Sequence, residues 1–136
     1  IISNKETGDH ILAKWGGGKD GILLLCHMDT VFPLGTLEKM PYREADGKIF
    51  GPGVLDMKSG IVIALSALDQ VQRSGMKRPV TLLCTSDEEI GSHTSRALIE
   101  SLAKDSAMVF VLESALVDGS LKTWRKGGGE FLVSVA

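Results

Sequence analysis

Ile22-Leu23-Leu24-Leu25-Cys26 runs straight into His27-Met28-Asp29, and this junction is the key to the fold. A short continuous apolar run suits a strand buried on both faces of a sheet. Polar groups begin where that strand stops, and the pattern recurs twice. Pro79 to Thr85 reads as a second strand and leads into Ser86-Asp87-Glu88-Glu89. Ala107 to Leu112 reads as a third, with Glu113 at its end. Two helical segments lie between them. Ile61, Ala64, Leu65, Leu68 and Val71 recur at helical spacing, with Ser59 as the expected N-cap and Gly75 as the close. Ser92 to Ala103 reads as the second helix, with Leu98 and Leu102 four apart. Strand, helix, strand, helix, strand predicts an α/β layer fold. Open α/β sheets carry their sites at the carboxyl ends of strands, which is where the acids and the histidine fall.

Outward from this frame the chain is less regular. Ile1 to Trp15 reads as two short strands around a Thr7-Gly8-Asp9 turn, and Gly16-Gly17-Gly18 as a flexible connection. Val31 to Gly53 is rich in Gly and Pro, and is expected to form a long loop with a small hairpin turning at Ala45-Asp46-Gly47. Leu121 to Arg125 reads as a shorter strand, and Gly127-Gly128-Gly129 separates it from a last strand, Glu130 to Ala136. Cys26 and Cys84 each lie in an apolar run, as buried free thiols do.

Bulk properties narrow the partners. The 136 residues are 43% hydrophobic and 24% charged, an ordinary globular composition for one domain or a piece of one. A net charge of -2 lacks the basic excess of a polyanion binder, so nucleic acid is not an expected partner. No apolar stretch, Ile61 to Leu65 included, approaches the roughly 18 to 20 residues a helical membrane span needs, so no membrane is expected either. The chain opens on Ile1 with no signal-peptide pattern, which reads as a fragment boundary. Compartment stays open: cytoplasmic, periplasmic or secreted.

The strand-end residues have the chemistry of a metal site. His27 offers an imidazole ligand, and Asp29, two residues on, is placed to accept from its ring and set the tautomer. Asp56 follows Gly51-Pro52-Gly53 at the mouth of a helix, with two oxygens able to bridge two cations. Glu88 and Glu89 are adjacent like charges, costly to hold together without a cation. One can bind metal while the other handles protons. Glu113 adds a further oxygen. Such ligands suit zinc at a hydrolytic site, where paired ions polarise a carbonyl and acidify a water. Taken singly, each has a plainer reading: a surface polar pair, a solvated acidic face, a helix cap, a strand-end acid. Four such features at strand ends in one short chain are hard to explain as independent accidents.

The motifs carry a resemblance. Leu25-Cys26-His27-Met28-Asp29-Thr30-Val31, Gly51-Pro52-Gly53-Val54-Leu55-Asp56-Met57-Lys58-Ser59-Gly60, Thr85-Ser86-Asp87-Glu88-Glu89-Ile90-Gly91-Ser92 and Glu113-Ser114 occur in that order. Together they resemble the four metal motifs of the two-zinc carboxypeptidase and aminoacylase family, from about Gly21 onward. The nearest subgroup is the glutamate carboxypeptidases, which Glu88 to Arg96 and His27 to Val31 followed by Gly35 resemble beyond the ligands.

The resemblance implies a mixed, largely parallel sheet sandwiched by helices. It implies two zinc ions, with cobalt or manganese as alternatives. His27 and Glu113 would hold one ion, Glu89 the other, and Asp56 would bridge them. Glu88 would be the general base and acid, acting on a metal-activated water, and Asp29 would orient His27. The Asp56-Met57 peptide bond would be cis. The implied reaction removes a C-terminal glutamate or similar acid from a peptide or an N-acyl amino acid.

The family's second ligand histidine comes late in its chain. Besides His27 only His10 and His93 are present, and His93, four after Glu89, reads better as a polar helix-start residue. The resemblance therefore divides the chain into a partial catalytic domain, 1–126, and the first strand of a lid and dimerisation domain, 127–136. It implies a homodimeric parent. Aminoacylase, desuccinylase and dipeptidase activities remain alternatives. So do an inactive fragment lacking the last histidine and a module whose acidic cluster is structural.

Overall fold

A computed structural model describes residues 1–129 and 131–135 of the chain. Eleven elements occur in order: β1 (Ile11–Trp15), β2 (Gly21–His27), α1 (Thr36–Lys39), β3 (Arg43–Ala45), β4 (Lys48–Phe50), a tight turn (Val54–Lys58), α2 (Ser59–Arg73), β5 (Val80–Thr85), a single 3-10 turn (Glu88–Ile90), α3 (Arg96–Lys104) and β6 (Ser106–Val111). The main sheet has the order β1-β5-β2-β6. β2 pairs in parallel with both β5 and β6, while β1 runs antiparallel on the outer edge of β5. This is the mixed sheet with parallel strands and helices that the sequence predicts.

The connections explain the layering. β2–α2–β5 steps to one side, and β5–α3–β6 steps back across β2 to the other. Right-handed crossovers in opposite directions place their helices on opposite faces. Packing agrees. On one face Cys26, Leu82 and Cys84 form a core with Ala64 of α2 and Met57, and Leu24, Ile61 and Leu112 lie against it. The alternate residues Leu23 and Leu83 point the other way and are fully buried. Each such leucine contributes about 1.5–3 kcal/mol of burial. Cys26 and Cys84 are side by side in register, free and buried, as expected. The neighbouring Cys84 thiol, together with burial, pushes the Cys26 thiol up.

Several expectations shift. Ser59 is not an N-cap. It has helical angles (φ -61°, ψ -38°), and Lys58 holds the cap position without a side-chain cap bond. The Val54–Lys58 turn feeds directly into α2, with the Lys58 N–H donating to the Gly53 carbonyl at 2.9 Å, so the chain is already helical at Lys58 (φ -62°, ψ -29°). α3 begins at Arg96 rather than Ser92, because Gly91 (φ 95°) and Ser92 (φ 54°) turn left-handed. Leu121–Arg125 forms no strand and Leu121 and Trp124 are 81% and 76% exposed. Among the described residues no strand pairs with it, and an unpaired strand has no ladder to hold it. Of the expected strand Glu130–Ala136, residues 131–135 are irregular, and Glu130 and Ala136 lie outside the described residues. The hairpin turn is as expected: β3 and β4 pair around Asp46 and Gly47, both at positive φ. The N-terminal segment doubles back through one bridge, Ile2 to His10, before β1.

Candidate metal centre

Three strand ends and one helix mouth converge on His27. β2 ends at this residue, which is 2% exposed. Its backbone N–H lies 3.1 Å from the Met57 sulfur, so β2 and the Asp56-Met57 turn are in direct contact. The peptide bond between Asp56 and Met57 is cis. Nδ1 lies 3.2 Å from the Asp29 carbonyl and 3.4 Å from Asp29 Oδ1. Those oxygens suit a hydrogen on Nδ1, so the lone pair that a cation would use is the one on Nε2.

Carboxylates surround that lone pair. Asp56 Oδ1 is 3.0 Å from Nε2, Glu113 Oε1 3.2 Å and Glu88 Oε2 3.9 Å. Ligand atoms of His27, Asp56 and Glu113 all lie within 4.8 Å of one another. An imidazole lone pair facing carboxylate oxygens is repulsive, and one divalent cation would reverse every sign in the cluster. Asp29 Oδ1 is also buried without a hydrogen-bond partner. The donor set, one imidazole and several carboxylate oxygens, fits zinc or a similar hydrolytic metal. Titration tells the same story. Burial pushes His27 down, but the charges of Glu113, Glu88, Asp29 and Asp56 outweigh it, and the imidazole titrates above its ordinary value.

Close backbone approaches hold the pieces together. A Cβ on Gly60, in the first turn of α2, would meet the Leu112 carbonyl oxygen at 2.0 Å. Only glycine lets α2 pack against the strand end that delivers Glu113. Gly53 (φ 68°) likewise sits where a Cβ would strike Thr30 Cγ2 at 2.4 Å. Lys58 Nζ donates to the Met28 carbonyl at 2.8 Å, bridging the Asp56 turn and the His27–Asp29 segment.

The sequence-predicted residues fall into two groups. His27, Asp56 and Glu113 are brought together, with Glu88 just outside at 48% side-chain exposure. Asp29 stands behind His27 and also accepts the Glu89 N–H at 3.0 Å through Oδ2. It therefore anchors the Glu88–Glu89 turn as well as the ring, a second duty the sequence does not reveal. Glu89 is half-buried, but its carboxylate is not part of the three-residue cluster. His93 is exposed in the turn before α3 and is likewise no part of that cluster.

Asp87 has a role that its place in the third motif does not announce. It is fully buried. Its Oδ2 accepts the Thr94 N–H at 2.8 Å, the Thr94 hydroxyl at 2.6 Å and the Ser95 N–H at 3.0 Å. It thus caps the approach to α3 from across the loop. Burial alone would raise its pKa, but the Ser95 and Thr94 side chains and backbone donors lower it to about 2. An acid five to eight residues ahead of a helical pattern was the only available signal.

Residues 23–126 match the model of Peptidase family M20/M25/M40. Over 110 residues the chain is 39% identical to carboxypeptidase G2 of Pseudomonas sp. (strain RS-16), covering 79% of this chain and 26% of that protein. It is 35% identical over 94 residues to acetylornithine deacetylase of Pasteurella multocida (strain Pm70), covering 67% and 25% respectively. The chain thus spans about a quarter of the length of these curated relatives.

Solved structures share the fold. Human carnosine dipeptidase 1 superposes with a TM-score of 0.67 at 18% identity, over 82% of this chain and 26% of that one. The M20 family metallo-carboxypeptidase Sso-CP2 from Sulfolobus solfataricus gives 0.70 at 19% identity, over 88% and 29%.

Proposed function

The chain belongs to Peptidase family M20/M25/M40, and from that premise we propose that it is the metal-holding part of a two-zinc amide hydrolase that removes a C-terminal glutamate or similar amino acid. The observation that carries this reading is the convergence of Asp56 and Glu113 within 3.2 Å of His27 Nε2. Likeness to carboxypeptidase G2 supports the carboxypeptidase direction. Likeness to acetylornithine deacetylase keeps removal of an acyl group as the second reading.

Each residue then has a task. His27 and Glu113 would hold one cation and Glu89 the other, with Asp56 shared between them. When bound, the cations supply Lewis acidity to the scissile carbonyl and the attacking water. Glu88, half exposed and 3.9 Å from His27 Nε2, takes the water proton and returns it to the leaving amine. Asp29 keeps the His27 hydrogen on Nδ1 so that Nε2 stays a ligand. The whole protein is proposed to contribute a further histidine ligand and a lid that assembles dimers. No compartment is proposed.

The test uses the full-length protein that carries this chain. Elemental analysis should find two zinc ions per chain. Glu88→Gln should keep the metal and lower kcat on a C-terminal glutamyl amide by a factor on the order of 10²–10⁴. A protein that binds no zinc, or a Glu88→Gln variant with full activity, would sink the hydrolase reading. Preference for acetylated amino acids over glutamyl amides would select the second reading.

A further inference from the structure

Beside the carboxylate cluster lies a second buried polar assembly that the proposed reaction does not use. His10 is 2% exposed. Its ring is held between the two ends of the loop 86–94. The Ser86 N–H donates to Nδ1 at 3.2 Å, and Ser86 Oγ lies 3.1 Å from the same atom. The Ser86 hydroxyl donates to the Gly8 carbonyl. At the other end, Nε2 lies 3.4 Å from Thr94 Oγ1.

Donor direction orders the chain. A backbone N–H only donates, so Nδ1 of His10 accepts and its ring hydrogen sits on Nε2. Asn4 Nδ2 and Thr94 Oγ1 both lie 3.4 Å from Nε2, and only the hydroxyl oxygen accepts, so that hydrogen is directed to Thr94 Oγ1, whose own hydrogen goes to Asp87 Oδ2 at 2.6 Å. Ser86, His10, Thr94 and Asp87 therefore form a closed clasp, and Glu88 and Glu89 lie on the loop it closes. The N-terminal segment braces it: Asn4 Nδ2 donates to Thr7 Oγ1 at 2.9 Å, and Thr7 Oγ1 lies 3.1 Å from Thr94 Oγ1.

We propose that His10 is a positioning residue that clasps the loop 86–94, so that Glu88 faces the reacting centre and Glu89 faces the second cation. The proposal rests on the roles given above to those two acids. The loop needs such a clasp. Adjacent carboxylates repel, and Ser92 sits at a left-handed φ of 54° that a free non-glycine residue rarely holds. Asp29 grips the turn at the Glu89 N–H. His10 grips the loop's two ends. A small displacement of a catalytic group is costly, because rate depends steeply on its placement.

Thr94 gives the clean test, since its hydroxyl links His10 to Asp87. Thr94→Val, Thr94→Ser and His10→Ala are made in the full-length protein. The readouts are amide hydrogen exchange, the visible spectrum of the cobalt(II)-substituted protein, and kcat with KM. Thr94→Val should speed exchange over residues 86–95 and leave 80–85 unchanged. It should alter the cobalt spectrum and lower kcat about tenfold with KM changed less than about threefold. Thr94→Ser should restore all three, and His10→Ala should match Thr94→Val.

Should His10→Ala fail to fold, the Thr94 pair decides. Wild-type exchange over 86–95 in Thr94→Val overturns the clasp. Faster exchange with unchanged spectrum and kcat overturns its positioning role. A wild-type protein that binds no divalent cation refutes the hydrolase reading and, with it, the positioning of Glu88 and Glu89.

Discussion

The ends of β2 and β5 differ sharply from the end of β6. At the first two, His27, Thr85 and Asp87 are each no more than 2% exposed, held by the core below and by backbone bonds around them. Strand β6 has Met108, Val109, Phe110 and Val111 between 40% and 58% exposed, and the described residues beyond Leu112 are irregular. One set of site residues is fixed by this chain's own interior. The other, Glu113, is delivered by an edge strand. The difference lies in pairing: β2 and β5 each have neighbours on both sides, while β6 has one. A metal site joining both regions inherits the order of the first and depends on a single close contact to locate the second.

That contact is the place to break the comparison. Gly60→Ala would drive a methyl into the Leu112 carbonyl. Overpacking against backbone is expected to cost about 3 kcal/mol in urea unfolding, with Glu113 displaced and zinc affinity reduced as well. Unchanged stability would mean that α2 does not set the position of Glu113. A smaller effect is expected behind His27. Asp29→Ala keeps the backbone carbonyl beside Nδ1 but removes the carboxylate charge 3.4 Å from the ring and the acceptor of the Glu89 N–H, and zinc affinity measured by chelator competition should fall by about 10-fold.

Acid sensitivity should also belong to the ordered region. The Asp87 carboxyl is lowered from 3.8 to about 2 in the fold. A depressed folded pKa gives stability that is complete above the unfolded value and disappears as pH falls through the folded one. Wild type should therefore lose about 2 kcal/mol between roughly pH 5 and pH 2 through this group. Asp87→Asn should already lack that contribution at neutral pH and show a flatter acid profile. The smallest effect is predicted at the other extreme. Trp124→Ala removes a large side chain that is 76% exposed, and should change stability within about 0.5 kcal/mol. A larger loss would show that the irregular segment packs after all.

Much of the frame was legible because burial leaves a mark on residue type. The three apolar runs became β2, β5 and β6, and the polar residues after them met at one sheet edge. What failed had weak local signals. Ser59 looks like a cap, but the preceding turn runs straight into the helix, and the cap position falls on Lys58 with no side-chain cap bond. Leu121–Arg125 has strand-forming residues and, among the described residues, no strand beside it. His10 was one of three histidines with nothing in its neighbours to mark it; its partners Ser86 and Thr94 lie 76 and 84 residues away.

The sequence by itself determined the α/β order, the identity of the donor residues and the family, because periodicity and motif spacing are local and survive without coordinates. Only the tertiary structure decided which donors actually meet. Register between β2 and β6, and the packing of the turn before α2 on the end of β2, bring His27, Asp56 and Glu113 within one ion's reach, while Glu89 stands apart from that group. Only the tertiary structure, too, could give Asp87 and His10 their partners. Hydrogen bonds between distant segments depend on how the strands pair and the helices cross, and no local pattern encodes them.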